Sequence, residues 1–233
     1  MATSASTNQY RQAAHDKFNS LKQHYPSAFW KLGNSFDTMI DFLDNIDNSS
    51  ANDVAKTVVE KYRQLLFAPP PGGLGGYDNA WFDDFGWWTI ATHRAVEKPF
   101  FSQEWKTQFR GFMSECWKRF TENAPYVWER RKPGTFDDCR PAVDGGVWNE
   151  YWLGTSPNYP GPKGADPTKE SLEGIQNTVT NALYLIAAQR LGITDPQAKA
   201  AAQREFGFLN TWLFEVERDP LWWPQAWPNA ALV

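Results

Sequence analysis

The chain of 233 residues is long enough to bury a large core, and it is mildly acidic, with 23 basic and 27 acidic residues. No basic block is present, which gives a nucleic-acid-binding role little electrostatic support. No segment approaches the apolar length that crosses a bilayer, and residues 1–7 lack the basic and apolar regions of a secretory signal. We therefore expect a cytoplasmic chain that binds neither nucleic acid nor membrane.

Seven helical segments follow from the 3.6-residue spacing of apolar residues and from start and stop signals. The triple proline at 69–71 stops the third segment, and Pro99 closes the fourth. A long loop rich in proline, glycine and aromatic residues occupies residues 124–168. No strand is evident, so the predicted class is all-α, with one domain over residues 1–233. The predicted helices span about residues 8–24, 35–46, 52–67, 83–97, 102–122, 172–191 and 195–216.

The even-numbered and odd-numbered helices differ in charge. The third, fifth and seventh carry charges along their length, as amphipathic outer helices do. The fourth has no charge between Asp84 and Arg94, and the sixth has none between Glu173 and Arg190. Helices that are apolar nearly all round are buried, so this alternation predicts an inner ring of even helices. Short connections follow the even helices and long aromatic loops follow the odd ones, which would gather the aromatic loops on one face.

Thirteen tryptophans, eight tyrosines and sixteen phenylalanines are the compositional outlier, and many surround an aspartate pair. Asp83 and Asp84 follow a Gly/Pro-rich loop and stand beside Tyr77 and Trp81. Two carboxyl groups are the minimum needed to cleave a glycosidic bond, and aromatic side chains suit the apolar faces of a sugar ring. The other interpretation is that these aspartates only cap a helix and favour its positive end. The two residues by themselves leave both interpretations open.

Three motifs occur in order: Asp-Asp-Phe-Gly-Trp-Trp at 83–88, Gly-Gly-Val-Trp at 145–148 and Gln-Asn-Thr-Val-Thr-Asn at 176–181. Together they resemble motifs of glycoside hydrolase family 76, the endo-α-1,6-mannanases, which belong to the six-hairpin (α/α)6-barrel glycosidases. Gln176 stands where that family usually has lysine. The resemblance covers roughly residues 36–191.

The resemblance implies a retaining glycosidase that cleaves α-1,6-mannan-type polysaccharide without a cofactor. Members of that family are often secreted, which leaves secretion open beside the cytoplasmic expectation. Asp83 would be the nucleophile, and Asp84 would be the general acid and later the base. It also implies an (α/α)6-barrel-type toroid, of which seven helices are only a part. The ring is then incomplete, open or completed by a partner, and an open ring predicts self-association.

Residues on the predicted aromatic face are candidates for sugar binding. Asp37 is predicted to open the second helix, where the other interpretation is a first-turn acid that favours the helix dipole. Asn177 and Asn181 lie one turn apart on an apolar helix, and their amides need either sugar hydroxyls or backbone groups as partners. The predicted substrate-binding residues are Asp37, Tyr77, Trp81, Trp148, Asn149, Asn177 and Asn181.

Other chemistries have less support in the sequence. A sugar epimerase on a similar scaffold would use paired histidines, but only His15, His24 and His93 are present. No histidine or cysteine cluster has metal-ligand spacing, so we predict no metal site. Cys116 and Cys139 could form one bridge in an oxidising compartment, but we expect free thiols. A non-catalytic carbohydrate-binding or truncated fragment is the alternative function from a different class.

Overall fold

The structure is a computed structural model that describes residues 4–67, 81–122, 146–147 and 178–218. Within these ranges the chain forms seven α-helices and no strand, which confirms the predicted all-α class. None of these helices combines the length and apolar character needed to cross a membrane. The helices are α1 (Ser4–Gln23), α2 (Phe29–Asn45), α3 (Ala51–Phe67), α4 (Phe82–Glu97), α5 (Gln103–Glu122), α6 (Thr178–Leu191) and α7 (Pro196–Arg218).

The chain divides into two compact units, an N-terminal unit of Met1–Phe120 and a C-terminal unit of Thr121–Val233. The first holds α1 to α4 and nearly all of α5, and the second holds α6 and α7. Within the N-terminal unit α2 packs most extensively against α4, and within the C-terminal unit α6 packs against α7. The single domain and the ring of alternating helices remain predictions.

Trp88 of α4 lies at the centre of the core of the N-terminal unit. Its side chain is 0% exposed, and its indole N–H donates to the carbonyl oxygen of Phe29 at 2.9 Å. The ring also contacts Phe36 of α2 and Tyr62 of α3. Because a large aromatic side chain gains more from burial than other residues, Trp88 ties α2, α3 and α4 into one core. The expected burial of the fourth helix is confirmed.

Helices α2 and α4 run parallel. Three contacts show this, because residue numbers increase in the same direction along both helices: Trp88 with Phe29, Arg94 with Asp37, and Lys98 with Asp44. A parallel arrangement places both N-terminal ends at the same end of the unit. The start of α4 and the start of α2 are therefore neighbours.

Helix α2 begins at Phe29, about two turns before its predicted start near residue 35. Gly33 and Asn34 directly precede the predicted start, and both lie inside the helix. A Cβ atom on Gly33 would lie 3.1 Å from Cδ1 of Trp88, so the glycine makes room for the indole ring. The true start has no side-chain signal because Ala28 occupies the N-cap position and makes no capping hydrogen bond.

Gly33→Ala is expected to destabilise the chain, whereas Gly111→Ala is expected to stabilise it. Alanine in a helix interior is favoured over glycine by about 1 kcal/mol. At Gly33 the new Cβ would meet three ring atoms of Trp88 at 3.1–3.2 Å, and such overpacking costs about 1–3 kcal/mol. No atom lies within 4 Å of a Cβ on Gly111. Urea denaturation of both variants measures the difference, and equal stabilisation would contradict the packing of Trp88 on α2.

The C-terminal unit buries one face of α6 against α7. Leu183, Tyr184 and Ala187 are buried on α6. Val179 and Ile186, however, are 49% and 40% exposed. The expectation that the sixth helix is buried nearly all round is therefore wrong, because its second apolar face stays exposed.

Candidate active site

The aspartate pair lies in the first turn of α4. Trp81 occupies the N-cap position and makes no side-chain capping hydrogen bond, and the helix begins at Phe82. Asp83 and Asp84 are thus the second and third helical residues, and the backbone N–H of Asp84 donates to the carbonyl oxygen of Trp81 at 3.0 Å. Neither aspartate occupies the N-cap position, but both lie in the first turn, where an acid favours the positive end of the helix, so that part of the structural interpretation stays open.

Both carboxyl groups are shielded from water. Asp84 is only 8% exposed, and Asp83 is half-buried. The Oδ1 atom of Asp83 is buried and has no hydrogen-bond partner in the described part of the chain. A carboxyl group at a helix N-terminus ordinarily has a lowered pKa, because the helix dipole favours its anion. Here burial is the largest cause and raises the pKa of both groups, which opposes the effect of the dipole.

The two aspartates differ in their affinity for a proton. Burial, followed by the negative charge of Asp83, raises the pKa of Asp84 to about 8. Burial also raises the pKa of Asp83, but the backbone N–H groups of Asp83 and Asp84 oppose that rise by favouring the anion. Asp84 therefore keeps its proton more readily than an ordinary aspartate, and Asp83 is the member of the pair whose anion the backbone N–H groups favour. A charged and a protonated carboxyl side by side are what acid-assisted nucleophilic attack requires.

The structure places Asp37 away from the aspartate pair. Since α2 begins at Phe29, Asp37 lies in the middle of the helix, and its predicted position at the helix start is wrong. Its carboxylate accepts a hydrogen bond from Nη1 of Arg94 at 2.6 Å. Arg94 follows Asp84 by nearly three turns of α4, about 15 Å along the helix axis. Asp37 thus forms an ion pair between α2 and α4, and a part in substrate binding stays a prediction.

Trp81 is half-buried and immediately precedes the helix that carries the aspartates. Its part in substrate binding stays a prediction. Four other predicted substrate-binding residues lie outside the described residues: Tyr77, Trp148, Asn149 and Asn177.

In the C-terminal unit, Asn181 holds a piece of the Gly-Gly-Val-Trp motif. Its Oδ1 accepts a hydrogen bond from the backbone N–H of Val147 at 2.8 Å, and its Nδ2 donates to the carbonyl oxygen of Val147 at 3.2 Å. Asn181 is 2% exposed, and Val147 is fully buried. The sequence left two kinds of partner open for this amide, a backbone group or a sugar hydroxyl. In the structure its partner is a backbone group. Direct contact between Asn181 and a sugar stays a prediction.

Glu205 of α7 is a buried carboxyl group that the sequence analysis did not single out. It is 0% exposed, and neither carboxyl oxygen has a hydrogen-bond partner in the described part of the chain. Burial raises its pKa to about 8, and the nearby backbone N–H of Gly146 offsets a little of that rise without meeting hydrogen-bond geometry. The sequence does contain a signal for this burial. Glu205 has the helical spacing of Ala198, Ala201 and Phe208, which form the buried face of α7.

The described histidines do not form the pair that an epimerase needs. Nδ1 of His93 lies 3.7 Å from Oε2 of Glu97, one turn away on α4. His15 packs edge-on against Phe42, and His24 contacts the carbonyl oxygen of Ser20 at the end of α1. These separate local contacts give the epimerase alternative no support.

Other reactive groups do not form a second candidate centre among the described residues. No group of three or more histidine, cysteine, aspartate or glutamate side chains could hold a metal ion there. Cys116 is a free thiol, and complete burial raises its pKa to about 12, which makes it a poor nucleophile. Cys139 lies outside the described residues. A groove of about 330 Å³ lies beside Ile193, Lys199 and Phe206, and its lining residues include no carboxylate.

No protein-family model, curated protein or solved structure matches this chain. The described residues form an all-helical structure in which a buried Asp84 and a half-buried Asp83 stand at the start of a core helix.

Proposed function

We propose that the chain is a retaining glycoside hydrolase that cleaves α-1,6-mannan-type polysaccharide, with Asp83 as the nucleophile and Asp84 as the general acid and base. One observation supports this most strongly. Two adjacent carboxyl groups are shielded from water in the first turn of a helix: Asp84 is buried, and the buried Oδ1 of Asp83 has no hydrogen-bond partner among the described residues. The mannan substrate class rests on the resemblance of the three sequence motifs.

In the first step Asp84 donates its proton to the glycosidic oxygen while the bond from that oxygen to the anomeric carbon breaks. A carboxylate oxygen of Asp83 forms a bond to the same carbon, which gives a glycosyl ester, and the leaving sugar departs as an alcohol. The negative charge passes from Asp83 to Asp84. The positive end of α4 favours an anion at either position, so the helix stabilises the charge throughout the step.

In the second step Asp84, now a carboxylate, accepts a proton from a water molecule that attacks the anomeric carbon. The ester bond to Asp83 breaks and the free carboxylate returns, so both groups recover their starting states. Two displacements at one carbon retain its configuration. A retaining enzyme holds its two carboxyl groups about 5–5.5 Å apart, a separation that side chains diverging from adjacent residues can reach.

The proposed function predicts that the purified chain hydrolyses α-1,6-mannan and that Asp83→Asn lowers this activity by about 10⁴-fold or more, because an amide is a poor nucleophile. Reducing-end release measures the rate. Proton NMR at early times reports the configuration of the first product, which we expect to be the α-anomer.

The matched control is Asp53→Asn, the same substitution at an exposed first-turn acid of α3, which should leave the rate unchanged. A first product of inverted configuration would refute the retaining mechanism. Full activity in Asp83→Asn would show that Asp83 is not the nucleophile. Oligosaccharide binding without any turnover would instead favour the non-catalytic carbohydrate-binding alternative.

A further inference from the structure

Helix α2 carries an exposed tryptophan in its first turn. Trp30 is the second residue of α2, its side chain is 41% exposed, and the ammonium group of Lys31 lies 5.5 Å from the centre of its ring. The preceding residue, Phe29, is by contrast buried, and its ring contacts Phe85 and Trp88 of α4. The start of α2 thus packs on the start of α4, and Trp30 stands at the edge of that contact.

An ion pair shows which side of α4 Trp30 lies on. Residues seven apart in a helix lie on nearly the same stripe, because seven residues make almost two turns. Trp30 therefore shares a stripe of α2 with Asp37, and Trp87 shares a stripe of α4 with Arg94. The carboxylate of Asp37 accepts a hydrogen bond from Nη1 of Arg94 at 2.6 Å, so these two stripes lie side by side. Since the helices run parallel, two turns back along both of them lead to Trp30 and Trp87 at the same level.

A hydrogen bond in the core gives the same level. The indole N–H of Trp88 donates to the carbonyl oxygen of Phe29 at 2.9 Å, and these two residues are the chain neighbours of Trp87 and Trp30. Trp88 is 0% exposed, whereas Trp87 is only half-buried, so the tandem tryptophans differ in their surroundings. Two tryptophans that keep part of their surface in water thus lie at one level on neighbouring helices.

Trp87 is also one turn away from the aspartate pair. Asp83 precedes it by four residues on α4, and residues four apart on a helix share a face, with Cβ atoms about 5–6 Å apart. Long side chains in a helix point back toward its N-terminal end, which here is the end that carries the two aspartates. The rings of Trp30 and Trp87 and the carboxyl of Asp83 therefore belong to the same end of the N-terminal unit.

We propose that Trp30 and Trp87 form a sugar-stacking subsite beside the aspartate pair, in which their rings pack on the apolar faces of mannose units of the polysaccharide. This inference rests on the proposed function and gives its substrate a binding site built from the N-terminal unit alone. Rings with one side in water suit this task, because the C–H face of a sugar can pack on them while its hydroxyl groups stay hydrated. The ammonium group of Lys31, beside the ring of Trp30, is a hydrogen-bond donor for those hydroxyls.

Substitution of each tryptophan tests the subsite. A stacked ring should contribute about five- to tenfold to affinity. In the Asp83→Asn chain, which should bind without turnover, Trp30→Leu and Trp87→Leu should each raise the dissociation constant of an α-1,6-linked mannotetraose by about that factor. Trp30→Tyr keeps a flat ring and should restore most of the affinity. Trp105→Leu is the matched control, because this half-buried tryptophan lies at the start of α5, which follows the opposite end of α4.

A footprint of the bound sugar locates it without changing either tryptophan. Hydroxyl-radical oxidation of the Asp83→Asn chain is read by mass spectrometry, with and without saturating mannotetraose. A sugar stacked on Trp30 covers its exposed ring, so oxidation there should fall by about threefold or more, and oxidation of Trp105 should not change.

Turnover of mannan by the parent reports on the proposed function, and binding and footprint report on the subsite. Weaker binding of both leucine variants together with protection of Trp30 supports the inference, even if the parent shows no turnover and the hydrolase is thereby overturned. Unchanged oxidation of Trp30 in the presence of bound sugar overturns the subsite. Unchanged affinity of both leucine variants also overturns it, and the proposed function then stands if the parent cleaves mannan. A chain that neither binds nor cleaves these sugars overturns both.

Discussion

Asp84→Asn is expected to lower kcat on α-1,6-mannan by about 10²–10⁴-fold, while sparing the first step on a mannoside with a dinitrophenyl leaving group. Asparagine has no proton to donate at the glycosidic oxygen, and general acid catalysis is worth about that factor. A dinitrophenolate leaves without protonation, so its release does not need Asp84. A rapid burst of dinitrophenolate followed by slow turnover is the expected signal. Turnover is slow because water hydrolyses the glycosyl ester on Asp83 without a general base.

Asp83→Asn is the matched comparison, since it should abolish the burst as well as the turnover. Added azide should speed the turnover of Asp84→Asn, because azide attacks the ester without a general base and gives a glycosyl azide of retained configuration. Equal losses on mannan and on the activated substrate would contradict the acid role of Asp84.

The pH dependence of the parent provides a second check on Asp84. Its raised pKa, about 8, means that the proton needed for the first step is present below that pH and lost above it. The rate constant kcat/KM on mannan should therefore fall as pH rises through about 8. On the dinitrophenyl substrate this alkaline limb should be absent from the burst, because no proton is required there.

The sequence predicted most of the fold because most of its signals are local. Apolar spacing and stop signals such as Pro99 and Gly192 define all seven helices in the described ranges. The start of α2 was missed because it depends on a distant contact. Gly33 belongs in that helix only because the ring of Trp88, far along the chain, occupies the space of its absent side chain.

The candidate site was predictable in its residue types but not in their states. Asp83 and Asp84 could be found from their adjacency among aromatic residues. The rise in the pKa of each carboxyl depends on how deeply it is buried, which a sequence does not specify. The partner of Asn181 was ambiguous for the same reason, because Val147 is distant in the chain and only the packed unit brings the two together.

Glu205→Gln is expected to stabilise the chain at neutral pH by up to about 3 kcal/mol and to change the pH dependence of its stability. In the folded state Glu205 keeps its proton up to a pKa of about 8, whereas its ordinary value is 4.5. Between these values the unfolded chain releases a proton that the folded chain retains. The folded state binds more protons, so the free energy of unfolding falls as pH rises through this window, by up to about 1.4 kcal/mol per unit.

Glutamine has the same shape as protonated glutamate and no proton to lose. Urea denaturation of parent and variant at several pH values should give similar stabilities near pH 4 and a widening gap in favour of the variant up to about pH 8. Asp84 adds a slope of the same sign, but it is present in both proteins and cancels in the difference. Glu60→Gln, the same substitution at an exposed residue of α3, is the control and should show no such widening.

The size of this gap measures how completely the carboxyl of Glu205 is cut off from water and from other donors. A full effect requires that α6, α7 and residues 146–147 enclose it together, and among the described residues the N–H of Gly146 opposes the rise in its pKa. Parallel stability profiles for parent and variant would mean that the carboxyl ionises in the folded chain. The packing of residues 146–147 against α7 would then be wrong, even if their hydrogen bonds to Asn181 were correct.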